Sequence, residues 1–227
     1  MQFDLTRRLA AEALGTFFLV MAVVGSGIMA QNLADGNVAL ALLCNTIATG
    51  AVLFVIITIF VSVSGAHFNP AVSLVMWVRG GLARTETFAY VAVQIVGGCL
   101  GAIAAHLMFD LDPVQFSQTT RTGTGQWVGE FIATFGLIAT ILGCVRFRID
   151  AIAPAVALYI TSAYWFTSST SFANPAVTIA RALSDTFSGI APHDVPAFLV
   201  AEVLGALAAA ALFGWLLRPK NTVKPGE

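Results

Sequence analysis

With 227 residues, 58% of them hydrophobic and only 10% charged, the chain has too little polar surface to enclose itself as a water-soluble globule. A formal net charge of −1 and the lack of any basic run offer nothing to track nucleic-acid phosphates, so no nucleic acid is expected as a partner. The mean hydropathy of +0.86 makes a lipid bilayer the expected solvent. Cys44, Cys99 and Cys144 are odd in number, lie in apolar runs and lack Cys-x-x-Cys spacing, so they are expected to be reduced core residues rather than metal ligands or redox sensors.

The first apolar run, residues 9–30, follows Arg7 and Arg8 and so begins like a signal peptide. It is long enough to span, however, and its Glu12, Thr16 and Phe17 recur at the same spacing as Glu130, Thr134 and Phe135. It is therefore expected to stay in the mature protein. Further runs at residues 38–61, 87–108, 126–145, 149–166 and 195–217 make six predicted spans, the fifth barely long enough. Gln94, Gly97 and Gly98 in the third run parallel Glu202, Gly205 and Ala206 in the last. The chain thus reads as one membrane domain, 1–227, with one repeat at residues 5–109 and a second at 126–218. A polar stretch at 110–125 joins them and a tail at 219–227 follows. The small residues from Gly97 to Gly101 and from Gly205 to Ala210 let helices approach closely, either within one protomer or as a dimer motif.

Basic residues set the orientation. Arg7, Arg8, Arg79, Arg84, Arg146, Arg148, Arg218, Lys220 and Lys224 fall in the termini and even-numbered connections, whereas the odd-numbered ones hold Arg121 and Arg181. Both termini are expected to be cytoplasmic in a cell (inner or plasma) membrane, and three spans per half place the halves in opposite senses.

Between these runs lie Asn69-Pro70-Ala71-Val72 and Asn174-Pro175-Ala176-Val177. One such tripeptide arises by chance in a chain of this length only about a few per cent of the time, and two running on into Val far less often. Proline suits the first helical position with Asn as its N-cap, so each box should open a helix. About ten helix-compatible residues follow each box, 69–78 and 174–183, enough at ~1.5 Å per residue for half of a ~30 Å hydrocarbon core. They read as re-entrant half-helices whose loops border a pore, because non-helical backbone at membrane depth must be buried in protein or lined by water. If the halves are inverted, the two N-termini meet near the midplane and their partial positive charges repel cations, hydronium included. The Asn69 and Asn174 amides can then orient a passing water so that it relays no proton.

The paired boxes within six spans resemble the aquaporin (major intrinsic protein) family over residues 9–217. The resemblance implies an all-α membrane fold of six transmembrane helices plus two re-entrant half-helices in two inverted repeats. It also implies a homotetramer with a pore in each protomer, with no cofactor and no catalytic residue. Carried onto this sequence, the family's outer constriction falls on Thr49, Ser162, Ser171 and Val177; estimated helix rise also puts Thr49, Ser162 and Val177 at similar heights, with Ser171 in the loop entering the second half-helix completing the ring.

This ring departs from the family pattern. Val177 stands where Arg is usual, and Thr49 where a bulky aromatic is common. A wider, less charged constriction is expected, passing water, glycerol and metalloid hydroxides such as arsenous acid; the Val box resembles the aquaporin branch associated with bacterial arsenic resistance. Two readings of Arg181 stay open: it swings back to restore a charge at the mouth, or it pairs with a carboxylate or snorkels outward, Glu202 being at a similar height for a pair. Glu12 and Glu130 are expected to accept hydrogen bonds from the backbone of the two re-entrant loops, with a proton relay as the other reading. His67, two residues before Asn69, matches a position that the resemblance puts at the cytoplasmic vestibule, as a pH gate or as a satisfied structural histidine. His106 and His193 are too isolated to suggest a metal site.

The function expected is a passive channel for water and small neutral solutes. A strict water channel and an ion-coupled transporter, for which intramembrane carboxylates and broken helices are also typical, are the alternatives. An intramembrane enzyme has no Ser/His, Cys/His or HExxH constellation to support it.

Overall fold

The computed structural model describes residues 3–218, and over them the secondary structure is helical with no strand. Helices α1 (Leu5–Leu33), α2 (Val38–Ser64), α4 (Arg84–Met108), α5 (Thr124–Phe147) and α8 (Val195–Leu216) each exceed the ~20 residues a bilayer requires. Helix α6 (Ile152–Phe166) reaches that range only with the 3-10 turn Ile149–Ala151 before it. The short helices α3 (Pro70–Val78) and α7 (Pro175–Arg181) rise only roughly 10–14 Å. The second ends two residues before the expected 183, where the Leu183 N–H turns back to the Ala180 carbonyl.

Local chemistry sets these boundaries. Asp4 and Asn37 cap α1 and α2 by accepting from the Arg7 and Leu40 amides at 2.9 and 3.1 Å. Helix α2 stops at Gly65, whose φ of +91° is a left-handed conformation that glycine adopts without penalty. Large apolar side chains such as Phe88, Val96, Leu100, Leu158 and Val200 remain exposed along the long helices, as lipid-facing surfaces require. Cys44 lies among them, exposed on α2, so the expectation of a core position fails for that residue.

Packing repeats between the halves. Helix α1 packs on α2 and α4, and α5 packs likewise on α6 and α8. A Cβ on Gly97 would strike the Ala13 carbonyl, and one on Gly205 would strike the equivalent Phe131 carbonyl. The glycine stripes are thus spent on close contact inside the protomer, where each helix backbone meets its partner. The halves interlock because α7 lies against α4 and α3 against α8, while α2 meets α6. Residues 113–121, expected as a plain connector, fold back over the end of α7: the Gln115 and Ser117 amides donate to the Leu183 and Ala182 carbonyls at 2.9 and 3.1 Å. Lys220, Lys224 and the tail at 219–227 lie outside the described residues.

Candidate functional site

Asn69 and Asn174 hold extended backbone (φ −156° and −158°) and cap the helices that Pro70 and Pro175 begin. Each Asn Oδ1 accepts from the amide two residues on, Ala71 at 2.8 Å and Ala176 at 3.0 Å. The same side chains also join the halves. Asn69 Nδ2 donates to the Ala173 carbonyl at 2.7 Å, and Asn174 Nδ2 donates to the Phe68 carbonyl at 2.8 Å. This reciprocal pair requires the two half-helices to meet at their N-termini. A primary amide has two N–H groups, so each Asn keeps one for the cavity that both line.

The loops feeding these caps are strained in the same way. Ala66 and Phe68 in the first, and Ser171 and Ala173 in the second, have φ between +47° and +52°. For non-glycine residues this costs roughly 1–2 kcal/mol each, so something must hold the loops. Glu12 and Glu130, both fully buried, supply the acceptors. Glu12 accepts from the His67 and Phe68 amides at 2.9 and 2.6 Å and from Ser64 Oγ and Gln94 Nε2 at 2.6 and 2.8 Å. Glu130 accepts from the Phe172 and Ala173 amides at 2.8 and 2.7 Å. His67 lines the cavity; its Nδ1 lies 3.0 Å from Ser73 Oγ, and its ring sits edge-on to the buried Tyr90.

A cavity of about 310 Å³ follows one face of α6 through Ile152, Val156, Ile160 and Tyr164. From α2 it is lined by Thr49, Leu53, Ile57 and Val61, and past both Asn caps it reaches Val177 and Arg181. Away from the two Asn caps the walls are mostly aliphatic, so a solute finds few partners other than the amides and the exposed loop backbone. Thr49, Ser171 and Val177 come together at the Tyr164 end; Thr49 and Tyr164 hydroxyl oxygens are 3.2 Å apart.

Ser162 does not join them. Two residues from both Ile160 and Tyr164, it is rotated by about 200° on the helix, onto the outer face. It is exposed there, and its hydroxyl donates to the Tyr159 carbonyl at 2.7 Å. Tyr164 takes the place expected of it. Ile152, Val156, Ile160 and Tyr164 share one face by their four-residue spacing, but α6 is apolar on nearly every side, so the sequence did not mark that face as the one toward the cavity.

The expected Arg181–Glu202 pair is also absent. Glu202 Oε1 instead accepts from Thr178 Oγ1 at 2.6 Å and from the Asn174 amide at 3.2 Å, bracing the second box from behind. Arg181 turns toward the cavity, with its guanidinium carbon 3.4 Å from the centre of the Phe172 ring and its Nε donating to the Ser188 carbonyl. Arg121, not singled out from the sequence as a site residue, lies 5.1 Å from the same ring and donates to the Gly189 and Ser169 carbonyls at 2.7 and 3.4 Å. Burial pulls its guanidinium below the ordinary arginine range. Its signal was its place: with Arg181, it stands on the side of the membrane that the basic residues otherwise avoid.

Two capped half-helices joined tip to tip beside a long cavity agree with the comparisons to known proteins. The family model described as "Major intrinsic protein" matches residues 1–148 and 143–225. The chain belongs to the major intrinsic protein family. It is 58% identical over 222 residues, 98% of this chain and 95% of the relative, to a protein named aquaglyceroporin AqpS from Rhizobium meliloti (strain 1021). To a probable aquaporin NIP-type from Nicotiana alata it is 30% identical over 227 residues, covering 96% of this chain and 80% of that one. Among solved structures, the X-ray structure of the aquaglyceroporin from Plasmodium falciparum matches with a TM-score of 0.73 at 21% identity, over 92% of this chain and 96% of that one, which shows the fold. As a major intrinsic protein the chain is a multi-pass membrane channel for water and small solutes, and not an enzyme.

Proposed function

We propose that this channel passes glycerol-sized neutral solutes and metalloid hydroxides such as arsenous acid as well as water, passively and in both directions. The observation that carries this is Val177: the residue directly after the second box is aliphatic and lines the cavity with Thr49 and Ser171, so positions 177 and 49 contribute neither a cation nor a large ring to it. Uncharged walls with scattered hydroxyls and amides suit solutes that carry their own hydroxyls. The name of the Rhizobium meliloti relative, an aquaglyceroporin, supports the same reading. The helix N-termini at the two Asn caps supply a positive potential that opposes cations without blocking neutral molecules.

The working unit in this reading is a homotetramer in the cell membrane with cytoplasmic termini and lipid around its apolar faces. Residues 5–109 and 126–218 act as the two inverted repeats of one domain. The strict water channel has one observation in its favour, the placement of Tyr164 and Arg181 at the same end of the cavity, where both add bulk.

Stopped-flow light scattering on proteoliposomes, challenged in turn with sucrose, glycerol and arsenite, separates the two. Wild type should swell back after glycerol and arsenite shocks, and Val177→Arg should keep water flux while losing most solute flux. Glycerol entry no faster than in protein-free liposomes would leave the strict water channel.

A further inference from the structure

We infer that Arg181 is the residue that discriminates charge in this channel, acting one turn beyond the place where residue 177 would do so. This rests on the channel reading above but not on the width of its constriction.

Arg181 is 2% exposed, yet it borders the same cavity as Thr49, Tyr164 and Val177. Among the described residues no carboxylate lies within ion-pair distance of it. One of its five N–H groups is taken by a protein acceptor, the Ser188 carbonyl at Nε. The terminal nitrogens are not among the sealed, unsatisfied polar atoms, so they open on the cavity. A buried guanidinium left without a carboxylate is costly unless water or a solute meets it, which is what a conduction path provides.

The side chain is also held in place. Its guanidinium carbon lies over the Phe172 ring, which is 5.1 Å from Arg121 as well. Arg121 ties the loop around Phe172 to the Gly189 and Ser169 carbonyls. Phe172 in turn follows Ser171 in the strained loop that Glu130 fixes through its amide. The fork of Arg181 is thus pre-set for a passing molecule with two oxygen acceptors, which it can engage bidentately.

Position separates this device from an arginine at residue 177. Four residues along a helix are about 6 Å, so the Cα of Arg181 lies one turn beyond that of Val177, and its side chain reaches the cavity beside Phe172. Charge and width are then set by different residues. A small cation is repelled at the mouth, whereas a neutral solute is hydrogen-bonded there and released into an uncharged segment.

Urea and guanidinium test this, being planar molecules of nearly equal size that differ by one charge. In proteoliposomes of the full chain, wild type should pass urea and exclude guanidinium. Arg181→Gln should raise guanidinium flux relative to urea by about tenfold or more. The double variant Val177→Arg with Arg181→Gln returns the charge to residue 177 and should restore exclusion while slowing glycerol. Arg181→Lys keeps the charge without the fork, so it should exclude guanidinium yet pass glycerol more slowly, and it serves if the Gln variant does not fold. A guanidinium-to-urea ratio unchanged in Arg181→Gln, or exclusion lost in Arg181→Lys, overturns the assignment. Unchanged glycerol flux in Val177→Arg alone would instead count against the wide constriction and leave Arg181 standing.

Discussion

Replacing Glu12 by alanine removes the acceptor for four donors at once, and its cost can be worked from the geometry. Ser64 and Gln94 have side chains free to re-aim; Gln94 Nε2 already reaches Ser73 Oγ at 3.0 Å. The His67 and Phe68 amides have no such freedom, because the loop path that carries them is set by the Asn69 cap and by the left-handed residues Ala66 and Phe68. Two buried amides left without acceptors cost roughly 1–3 kcal/mol each, or about 2–6 kcal/mol together. That is a large share of the ~5–15 kcal/mol typical of a folded domain. The expected outcome in detergent is a fall in melting temperature on the order of 10 °C, with water flux per protomer reduced as the first box loosens. Glu12→Gln keeps one acceptor oxygen but turns an amide toward two donors, so it should fall between wild type and Glu12→Ala. A proton relay would give the reverse pattern, intact stability in Glu12→Gln and an altered pH dependence of transport. Melting of Glu12→Ala within about 1 °C of wild type would refute the bracing argument.

Three further outcomes follow from single contacts. Gly97→Val and Gly205→Val drive methyl groups into the Ala13 and Phe131 carbonyls and should each destabilise by about 1–3 kcal/mol or more, read as lost melting temperature, while Gly143→Ala, with open space around its Cβ, should be neutral. Glu202→Gln retains the Oε1 acceptor for Thr178 and Asn174 and alters only an oxygen without a partner, so stability and water flux should stay within about 0.5 kcal/mol and wild-type rates; Glu202→Ala should lose both. Ser162→Ala should leave the ranking of solutes unchanged, whereas Tyr164→Ala should speed glycerol relative to water, as measured by light scattering; equal effects from the two would misplace the cavity face of α6.

How much could be read before folding differs by element. Six spans, the two half-helices and their Asn-Pro-Ala starts are legible in the chain because hydropathy, capping and the fixed φ of proline act within a few residues. The bracing glutamates were visible as carboxylates repeated in matching spans. Helix rotation was not. A span that is apolar all round gives no azimuth, since lipid and protein interior are equally apolar, and so Ser162 could be placed at the right height yet on the wrong side. Long polar side chains were equally open: only packing turned Arg181 onto Phe172 rather than toward Glu202, and only the fold-back of residues 113–121 brought Arg121 to the same ring. Sequence by itself determined what crosses the membrane and where each short helix begins, whereas tertiary structure decided which side chains face the solute, because that depends on neighbours far away along the chain.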